Sequence, residues 1–256
     1  MDTSIRAKKG YGDFGSLSTN YAKARKGFPD ESIDFIFEKI GQESPRVLDL
    51  GCGTGIATEQ LHEKSANVFG TDIDADMIRL AQGQGDSRSK IKYQVAPAEK
   101  QPFANDEFDT VTAFSAFHWF TTKEALDEIK RVLKPRGIFF AINKNEIDNF
   151  KKENRRILQQ FVERELPDAK KEYDSAVILK ENGFRNIDKN HFPVTEYFSP
   201  SEAVEYVQTM SIWNLVPENK RSEARKKFSE HFKQIAKGGK VERRLEVVIV
   251  SGQYFE

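Results

Sequence analysis

The sequence predicts an α/β fold in which helices cover both faces of a mostly parallel, doubly wound sheet. Two observations support this prediction. The apolar run Val47–Leu50 is typical of a buried strand, and it leads through three alternating glycines into a stretch with helical spacing at 56–63. Strand and helix patterns then alternate as far as residue 142, an order typical of parallel strands joined by right-handed crossovers. We therefore expect a Rossmann-like sheet.

Composition excludes several other classes of protein. The chain has 256 residues, enough for one large domain, and its 40 basic residues balance its 40 acidic ones, which favours no polyanionic partner. Hydrophobic residues make up 38% and charged residues 31%, and no apolar run approaches about 18 residues, the length of a membrane span. The start carries no signal-peptide pattern, and Cys52 is the single cysteine. We expect a cytoplasmic protein with no internal disulfide and no membrane partner.

The glycine-rich turn after the first strand predicts a nucleotide-cofactor site. Its glycines stand at 51, 53 and 55, and Ile56 occupies the place of the third small residue in the dinucleotide fingerprint. The Asp49 carboxylate would repel a pyrophosphate but would suit a cation. S-adenosylmethionine (AdoMet) has an ammonium, a sulfonium and no phosphate, so the residues favour AdoMet over a dinucleotide.

An acid at the end of the second strand strengthens this interpretation. Asp72 lies a few residues after the apolar start of that strand and 23 residues after Asp49. This position is suited to accepting hydrogen bonds from ribose hydroxyls. The alternative is that Asp72 or Asp74 caps the helix that begins near Ala75, because Asp is a favoured N-cap. Both roles are compatible if Asp72 takes the ribose and Asp74 the helix.

Three segments resemble class I AdoMet-dependent methyltransferases: 47–55, 70–77 and 108–111. The chain is similar to their small-molecule branch, which includes the ubiquinone/biotin-pathway and trans-aconitate methyltransferases. The resemblance implies a seven-stranded sheet with the last strand antiparallel, a small-molecule acceptor, S-adenosylhomocysteine (AdoHcy) as product and no metal. It also implies one methyltransferase domain over 1–256. Its parts are an N-terminal lid and helix (1–45), an AdoMet-binding core (46–143), a helical cover (144–215), and a C-terminal helix with the last strand (216–256).

The same resemblance implies the cofactor contacts. A Tyr-x-x-x-Arg pair folds over the cofactor as a lid in this family, and the alternative here is a surface helix with a solvated Arg25. Residues of the loop after the third strand read the adenine edge, although Pro97 offers no polar side chain and Glu99 could be a plain loop carboxylate. The implied contacts are Tyr21, Arg25, Asp49, Gly51, Cys52, Gly53, Asp72, Ile73, Met77, Ala98, Glu99 and Ser115.

An aromatic run after the fourth strand predicts the acceptor site. Phe117, His118 and Trp119 follow the strand where the methyl group should emerge, and Trp213 of the cover is a further pocket candidate. The run resembles the trans-aconitate branch, whose acceptor is a carboxylate. A carboxylate is ionised at pH 7 and needs no general base, so we expect His118 to orient or neutralise the acceptor.

Two other functions stay open from the sequence. The stretch 220–244 has ten Lys or Arg against three acids, which would suit a tRNA- or rRNA-modifying enzyme. We favour a solvated face opposite Phe228, Phe232 and Ile235, and so consider nucleic acid an improbable partner. The third possibility is an AdoMet-binding protein without catalysis. The sequence shows no metal-ligand spacing and leaves open whether the chain is a monomer or a homodimer.

Overall fold

The computed structural model describes residues 24–65, 67–84, 91–167 and 173–255, and within them seven strands form one sheet. Their order is β3-β2-β1-β4-β5-β7-β6. The strands are β1 (Val47–Leu50), β2 (Val68–Asp72), β3 (Lys92–Val95), β4 (Phe108–Phe114), β5 (Leu133–Glu146), β6 (Arg185–Phe198) and β7 (Val241–Gln253).

Several helices of the described residues follow local start signals that the sequence already contains. Thr122 accepts a hydrogen bond from the Ala125 amide at 3.3 Å, and Ser199 with Glu202 forms a capping box. The helices are α1 (Asp30–Ile40), α2 (Ile56–Lys64), α3 (Ala75–Gln84), α4 (Lys123–Val132), α5 (Phe150–Leu158), α6 (Ser175–Glu181), α7 (Pro200–Gln208) and α8 (Glu218–Ile235). Short 3₁₀ turns occupy Phe117–Trp119, Gln159–Phe161 and Ser211–Leu215.

Strand direction confirms the expected fold class. The pairs β1–β2, β1–β4, β2–β3 and β4–β5 are parallel, so the carboxyl ends of these strands meet at one edge. The last strand is antiparallel. The chain after β7 pairs with the start of β5, where Arg136 N donates to Tyr254 O and Tyr254 N to Gly137 O, both at 2.9 Å. The fold is therefore the Rossmann-like sheet that the sequence predicts.

Several predicted boundaries were wrong. The sequence suggests a turn at Pro135–Gly137 before a strand at 138–142, whereas β5 already begins at Leu133. Pairing with Tyr254 extends this strand, and such long-range pairing leaves no local signal. A helix predicted from residue 143 starts only at Phe150, because β5 continues to Glu146. The helix predicted over 171–182 begins at Ser175, after the Asp174 side chain accepts from the first turn.

The described residues group into two compact units. The sheet unit comprises those within 27–145, 173–193 and 246–255, and the helical unit those within 24–26, 146–167 and 194–245. The predicted cover, 144–215, contributes residues to both units. Each unit has a core of its own, that of the sheet unit lying around Phe117 and Phe139 and that of the helical unit around Phe150. The expectation of a single domain over the whole chain stays a prediction.

The basic stretch 220–244 is only partly a solvated face. Phe228 and Phe232 are fully buried as expected, whereas Ile235 is 42% exposed. Arg243, which the sequence counts among the surface charges, is 5% exposed in the helical unit. It donates to Glu146 from Nε at 2.9 Å and to Glu196 from Nη1 at 2.8 Å. These partners lie far away in the sequence, which explains why the charge pattern alone misplaces Arg243.

No helix among the described residues combines the length and the apolar character that crossing a membrane would require.

Candidate functional site

The glycine-rich loop joins β1 to α2 at the carboxyl edge of the sheet. Gly51, Gly53 and Gly55 all have positive φ, at 72°, 56° and 84°, a region that other residues rarely adopt. The amides of Gly51 and Cys52 both donate to Thr71 O, at 2.7 and 2.9 Å. These two bonds fasten the loop to the end of β2, so the two strand ends that the sequence singles out lie together.

The three glycines face different surroundings. A Cβ on Gly51 would lie 2.7 Å from Ala116 Cβ, and one on Gly55 would lie 2.6 Å from the Tyr93 hydroxyl. A Cβ on Gly53 would meet no atom of the described residues within 4 Å. Gly51 and Gly55 are therefore required by packing within the protein. The open face at Gly53 is the place where a ligand can lie directly against the backbone.

Asp72 and Asp74 have separate tasks at the end of β2. One carboxylate oxygen of Asp72 accepts from Gly53 N at 2.8 Å and the other from Asp74 N at 2.9 Å. Asp74 caps α3 by accepting from Asp76 N at 2.9 Å and Met77 N at 3.3 Å. Burial raises the pKa of Asp72 above its ordinary value, against the opposing effect of the two N–H donors. Asp72 therefore orients the loop beside the open face, while the capping role belongs to Asp74.

Asp49 lies beneath the loop as a fully buried carboxylate. It accepts from Thr58 Oγ1 at 2.7 Å and Thr112 Oγ1 at 3.0 Å. The pKa of Asp49 is raised to about 6, and burial is the main cause. The nearby Asp72 charge also raises this pKa, whereas the two hydroxyl donors lower it. Together with Asp72 it makes this edge acidic, an environment that suits a cation and disfavours a phosphate.

The Asp49→Asn variant is expected to stabilise the protein more at pH 7.5 than at pH 5. The folded state holds the Asp49 proton more tightly than the unfolded chain does, so the ionised carboxylate lowers stability as pH rises from its ordinary pKa to about 6. The variant removes this effect, so its gain in free energy of unfolding should be larger at pH 7.5 than at pH 5 by about 1 kcal/mol. Urea unfolding at both pH values measures the difference. A gain independent of pH would contradict the buried-carboxylate assignment.

The predicted adenine side lies beside β2 and β3. Ile73 directly follows Asp72 and is 72% exposed, which provides an apolar surface for a flat ring. Ala98 is buried, and Glu99 accepts from Thr122 Oγ1 at 3.5 Å. Gln101, which no sequence pattern indicates, holds this loop, since its Nε2 donates to Pro97 O at 2.8 Å.

Other predicted cofactor residues are enclosed by protein. Cys52 is 9% exposed, and burial raises the pKa of its thiol above the ordinary value. Met77 is 3% exposed on α3. Both support the loop and helix from inside, and their contact with a cofactor stays a prediction.

The turn after β4 carries the predicted acceptor residues. Ser115 is exposed and has φ 53°, a conformation that non-glycine residues adopt mainly at constrained sites. The 3₁₀ turn Phe117–Trp119 follows, and Phe117 is fully buried. Ala116 and Phe120, on either side of this turn, are the nearest side chains to a Cβ built on Gly51. The structure thus brings Ala116 and Phe120, which flank the predicted acceptor residues, beside the glycine-rich loop.

Tyr173 is an additional residue at this place that the sequence pattern does not indicate. The His118 ring centroid lies 4.9 Å from that of Trp119 and 6.0 Å from that of Tyr173. The Tyr173 hydroxyl accepts from Ser175 Oγ at 2.9 Å, and burial raises the pKa of this phenol. Tyr173 is 55 positions from His118 in the sequence, so only the fold brings the two rings together.

Tyr21, Arg25 and Trp213 are the remaining predicted site residues. Tyr21 lies outside the described residues. Arg25 belongs to the helical unit, where it donates to Thr209 Oγ1 at 2.9 Å and to the Tyr206 hydroxyl at 3.2 Å. Trp213 is 3% exposed in the core of the same unit. The lid role of Tyr21 and Arg25 and the pocket role of Trp213 stay predictions.

The donor set fits AdoMet and offers no metal centre within the described part of the chain. No group of three or more His, Cys, Asp or Glu side chains there could hold a metal ion. An open backbone face at Gly53, two acids beneath and beside it, and an exposed Ile73 match a cationic sulfonium nucleoside. The fold and this edge of the sheet together define a Rossmann-like cofactor site of the kind that AdoMet occupies.

Comparisons with known proteins show what the central part of the chain is similar to. A family model described as "Methyltransferase domain" matches residues 48–141. An uncharacterized methyltransferase of Mycobacterium bovis is 33% identical over 127 residues, which cover 48% of this chain and 49% of the relative. The malonyl-[acyl-carrier protein] O-methyltransferase of Geobacter sulfurreducens is 33% identical over 126 residues, which cover 48% and 47%. The chain thus matches about half the length of these curated relatives.

A solved structure is similar in fold over more of the chain than the curated relatives cover. The YcgJ protein of Bacillus subtilis superimposes with a TM-score of 0.57 at 18% sequence identity, and the match covers 89% of this chain and 100% of that one. The matched segment 48–141 contains the glycine-rich loop and the ends of β2 and β4, so this part of the chain is similar to a methyltransferase domain.

Proposed function

We propose that the protein transfers the methyl group of AdoMet to a carboxylate of a small organic acid, with AdoHcy and a methyl ester as products. The observation that carries the proposal is the 3₁₀ turn Phe117–Trp119, whose flanking residues Ala116 and Phe120 border Gly51 of the cofactor loop. An acceptor held by this turn lies next to the place where the methyl group is delivered.

The chemistry of the step places few demands on the protein. When bound, AdoMet supplies an electrophilic methyl carbon on a positively charged sulfur. A carboxylate oxygen attacks that carbon, the bond from carbon to sulfur breaks, and both charges are neutralised. Because a carboxylate is already ionised at pH 7, no residue has to remove a proton. Positioning and exclusion of water are therefore the main contributions of the protein.

The residues at the carboxyl ends of β4 and β5 suit an acidic acceptor. His118 offers an imidazole between the rings of Trp119 and Tyr173, and Lys144 adds an ammonium group at the end of the neighbouring strand. Aromatic rings exclude water, the imidazole can donate a hydrogen bond to a carboxylate, and the ammonium group attracts it. The Geobacter relative, whose name states O-methylation of a malonyl-[acyl-carrier protein], supports an oxygen acceptor.

Methyl-labelled AdoMet incubated with the protein and an acid-rich metabolite extract is expected to yield a base-labile product. A methyl ester releases its label as methanol in mild base, whereas methyl groups on nitrogen, carbon or an ether oxygen do not. The His118→Ala variant should lower the labelling rate about 10- to 100-fold, because it loses the group that positions the acid. His191→Ala is the matched control, since this histidine lies on β6 beside Glu246 at 3.0 Å.

The other outcomes separate the alternatives. Base-resistant label would overturn the carboxylate acceptor and leave the methyltransferase assignment. Label in RNA would favour an RNA-modifying enzyme that uses the exposed lysines Lys226, Lys227 and Lys233 of α8. Binding of AdoMet without label in any fraction would favour a non-catalytic AdoMet-binding protein.

A further inference from the structure

Gly27 and Phe28 form a backbone strap that three elements of the sheet unit hold in place. The side-chain amide of Gln60 makes two hydrogen bonds to one residue: Oε1 accepts from Phe28 N at 2.8 Å, and Nε2 donates to Phe28 O at 2.7 Å. Lys144 Nζ donates to Gly27 O at 2.7 Å and lies 4.9 Å from the Phe28 ring centroid. The Phe28 ring also packs edge-on against Phe114 at 4.7 Å.

The three anchors of this strap all adjoin the cofactor site. Gln60 lies on α2, little more than one turn after Gly55, the last glycine of the loop. Phe114 is the last residue of β4 and directly precedes Ser115. Lys144 lies near the end of β5. Because these elements meet at the carboxyl edge of the sheet, the strap crosses that edge next to the glycine-rich loop.

The strand order indicates which end of the cofactor the strap borders. The predicted adenine side lies at β2 and β3, where Asp72 and Ile73 stand, whereas two of the three anchors of the strap, Phe114 and Lys144, lie on β4 and β5. The strap is thus on the opposite side of β1, where the methionine part and the methyl group would lie. Gly27 allows the strap to lie this close to Gln60, because a Cβ on residue 27 would be 2.8 Å from Gln60 Oε1.

We infer that Gln60 is a positioning residue that holds the Gly27–Phe28 strap as a wall over the methionine end of the cofactor pocket. An amide suits this task because it pairs with both the N–H and the C=O of one residue, as a neighbouring strand would. Replacing it releases the strap, exposes the bound cofactor to water and weakens its retention. The inference rests on the cofactor binding of the proposed function but not on any choice of acceptor.

The test measures AdoHcy binding to the full chain by calorimetry at 20 °C, together with the melting midpoint. Gln60→Ala is expected to raise the Kd about tenfold, since it loses two hydrogen bonds that order the wall. Gln60→Glu keeps the side-chain volume but places a carboxylate oxygen against Phe28 O, and it should weaken binding to a similar degree. Glu63→Ala, an exposed position on the same helix, is the matched control and should bind as the wild type does.

The readout separates positioning from general stability. Far below the melting midpoint nearly all the protein is folded, so a purely structural role for Gln60 would lower the midpoint and leave the Kd unchanged. A Kd within twofold of wild type for a folded Gln60 variant would overturn the inference alone. If Gln60→Ala does not fold, the Kd of Gln60→Glu is compared with that of the wild type instead. Failure of the wild type to bind AdoHcy or AdoMet would overturn the proposed function and with it the inference.

Discussion

Replacing Arg243 by methionine is expected to lower the free energy of unfolding by about 3–5 kcal/mol. The guanidinium is 6% exposed and bridges Glu146, which is 13% exposed, and Glu196, which is 5% exposed. Methionine preserves much of the side-chain volume but leaves two buried carboxylates without their cation. Removing one partner of a buried ion pair costs far more than a surface pair contributes. Denaturant unfolding followed by circular dichroism measures the loss.

Arg244→Met provides the matched control for this variant. Its side chain is 59% exposed and lies 3.5 Å from Glu242, so the substitution should change the free energy of unfolding by less than about 0.5 kcal/mol. Adding Glu146→Gln and Glu196→Gln to Arg243→Met should recover part of the loss, because no buried charge then remains without its partner. Equal losses for Arg243→Met and Arg244→Met would contradict the buried network.

Asp72→Ala is expected to raise the Kd for AdoMet about 10- to 150-fold, which corresponds to about 1.5–3 kcal/mol. The carboxylate already accepts from Gly53 N and Asp74 N and so holds the loop at its open face. It also has lone pairs left for ribose hydroxyls. The variant removes the loop anchor together with the charge-assisted bonds that we expect Asp72 to accept from the ribose. Calorimetric titration with AdoMet measures the change.

Asp76→Ala controls for the loss of a nearby negative charge. Asp76 lies in the first turn of α3 and pairs with Arg79 at 2.5 Å on the exposed surface. Its removal should alter the Kd less than twofold. Unchanged affinity in Asp72→Ala, with a melting midpoint near that of wild type, would refute the ribose role.

The cofactor edge of the sheet could be predicted because its signals are local. Glycines at alternate positions directly after Val47–Leu50 require a tight turn, and an acid at the end of the next strand in the chain arrives at the same edge in a parallel sheet. The structure places Gly53 and Asp72 in contact at 2.8 Å, as that reasoning requires. The cap of α3 is equally local, since Asp74 bonds to residues two and three positions on.

The long-range contacts that hold the same site together could not be predicted from the spacing of residues in the sequence. Asp49 is held by Thr112, 63 positions away, and Phe28 by Gln60, 32 positions away. Nothing in the pattern around Tyr173 indicates that its ring lies 6.0 Å from that of His118. These pairs depend on strand order and helix placement, which arise from the packing of the whole sheet unit.

The sequence by itself determined the class of fold, the glycine-rich loop and the two acids beside it, because a turn, a cap and a strand end are decided by neighbours within a few residues. Only the tertiary structure decided that Asp49 is buried, that Gly53 is the glycine facing open space, and that Arg243 lies inside a core. The physical reason is the same in each case. Burial and ion pairing depend on which distant segments pack together, and a charge next to other charges in the chain can still find its partners 47 and 97 positions away.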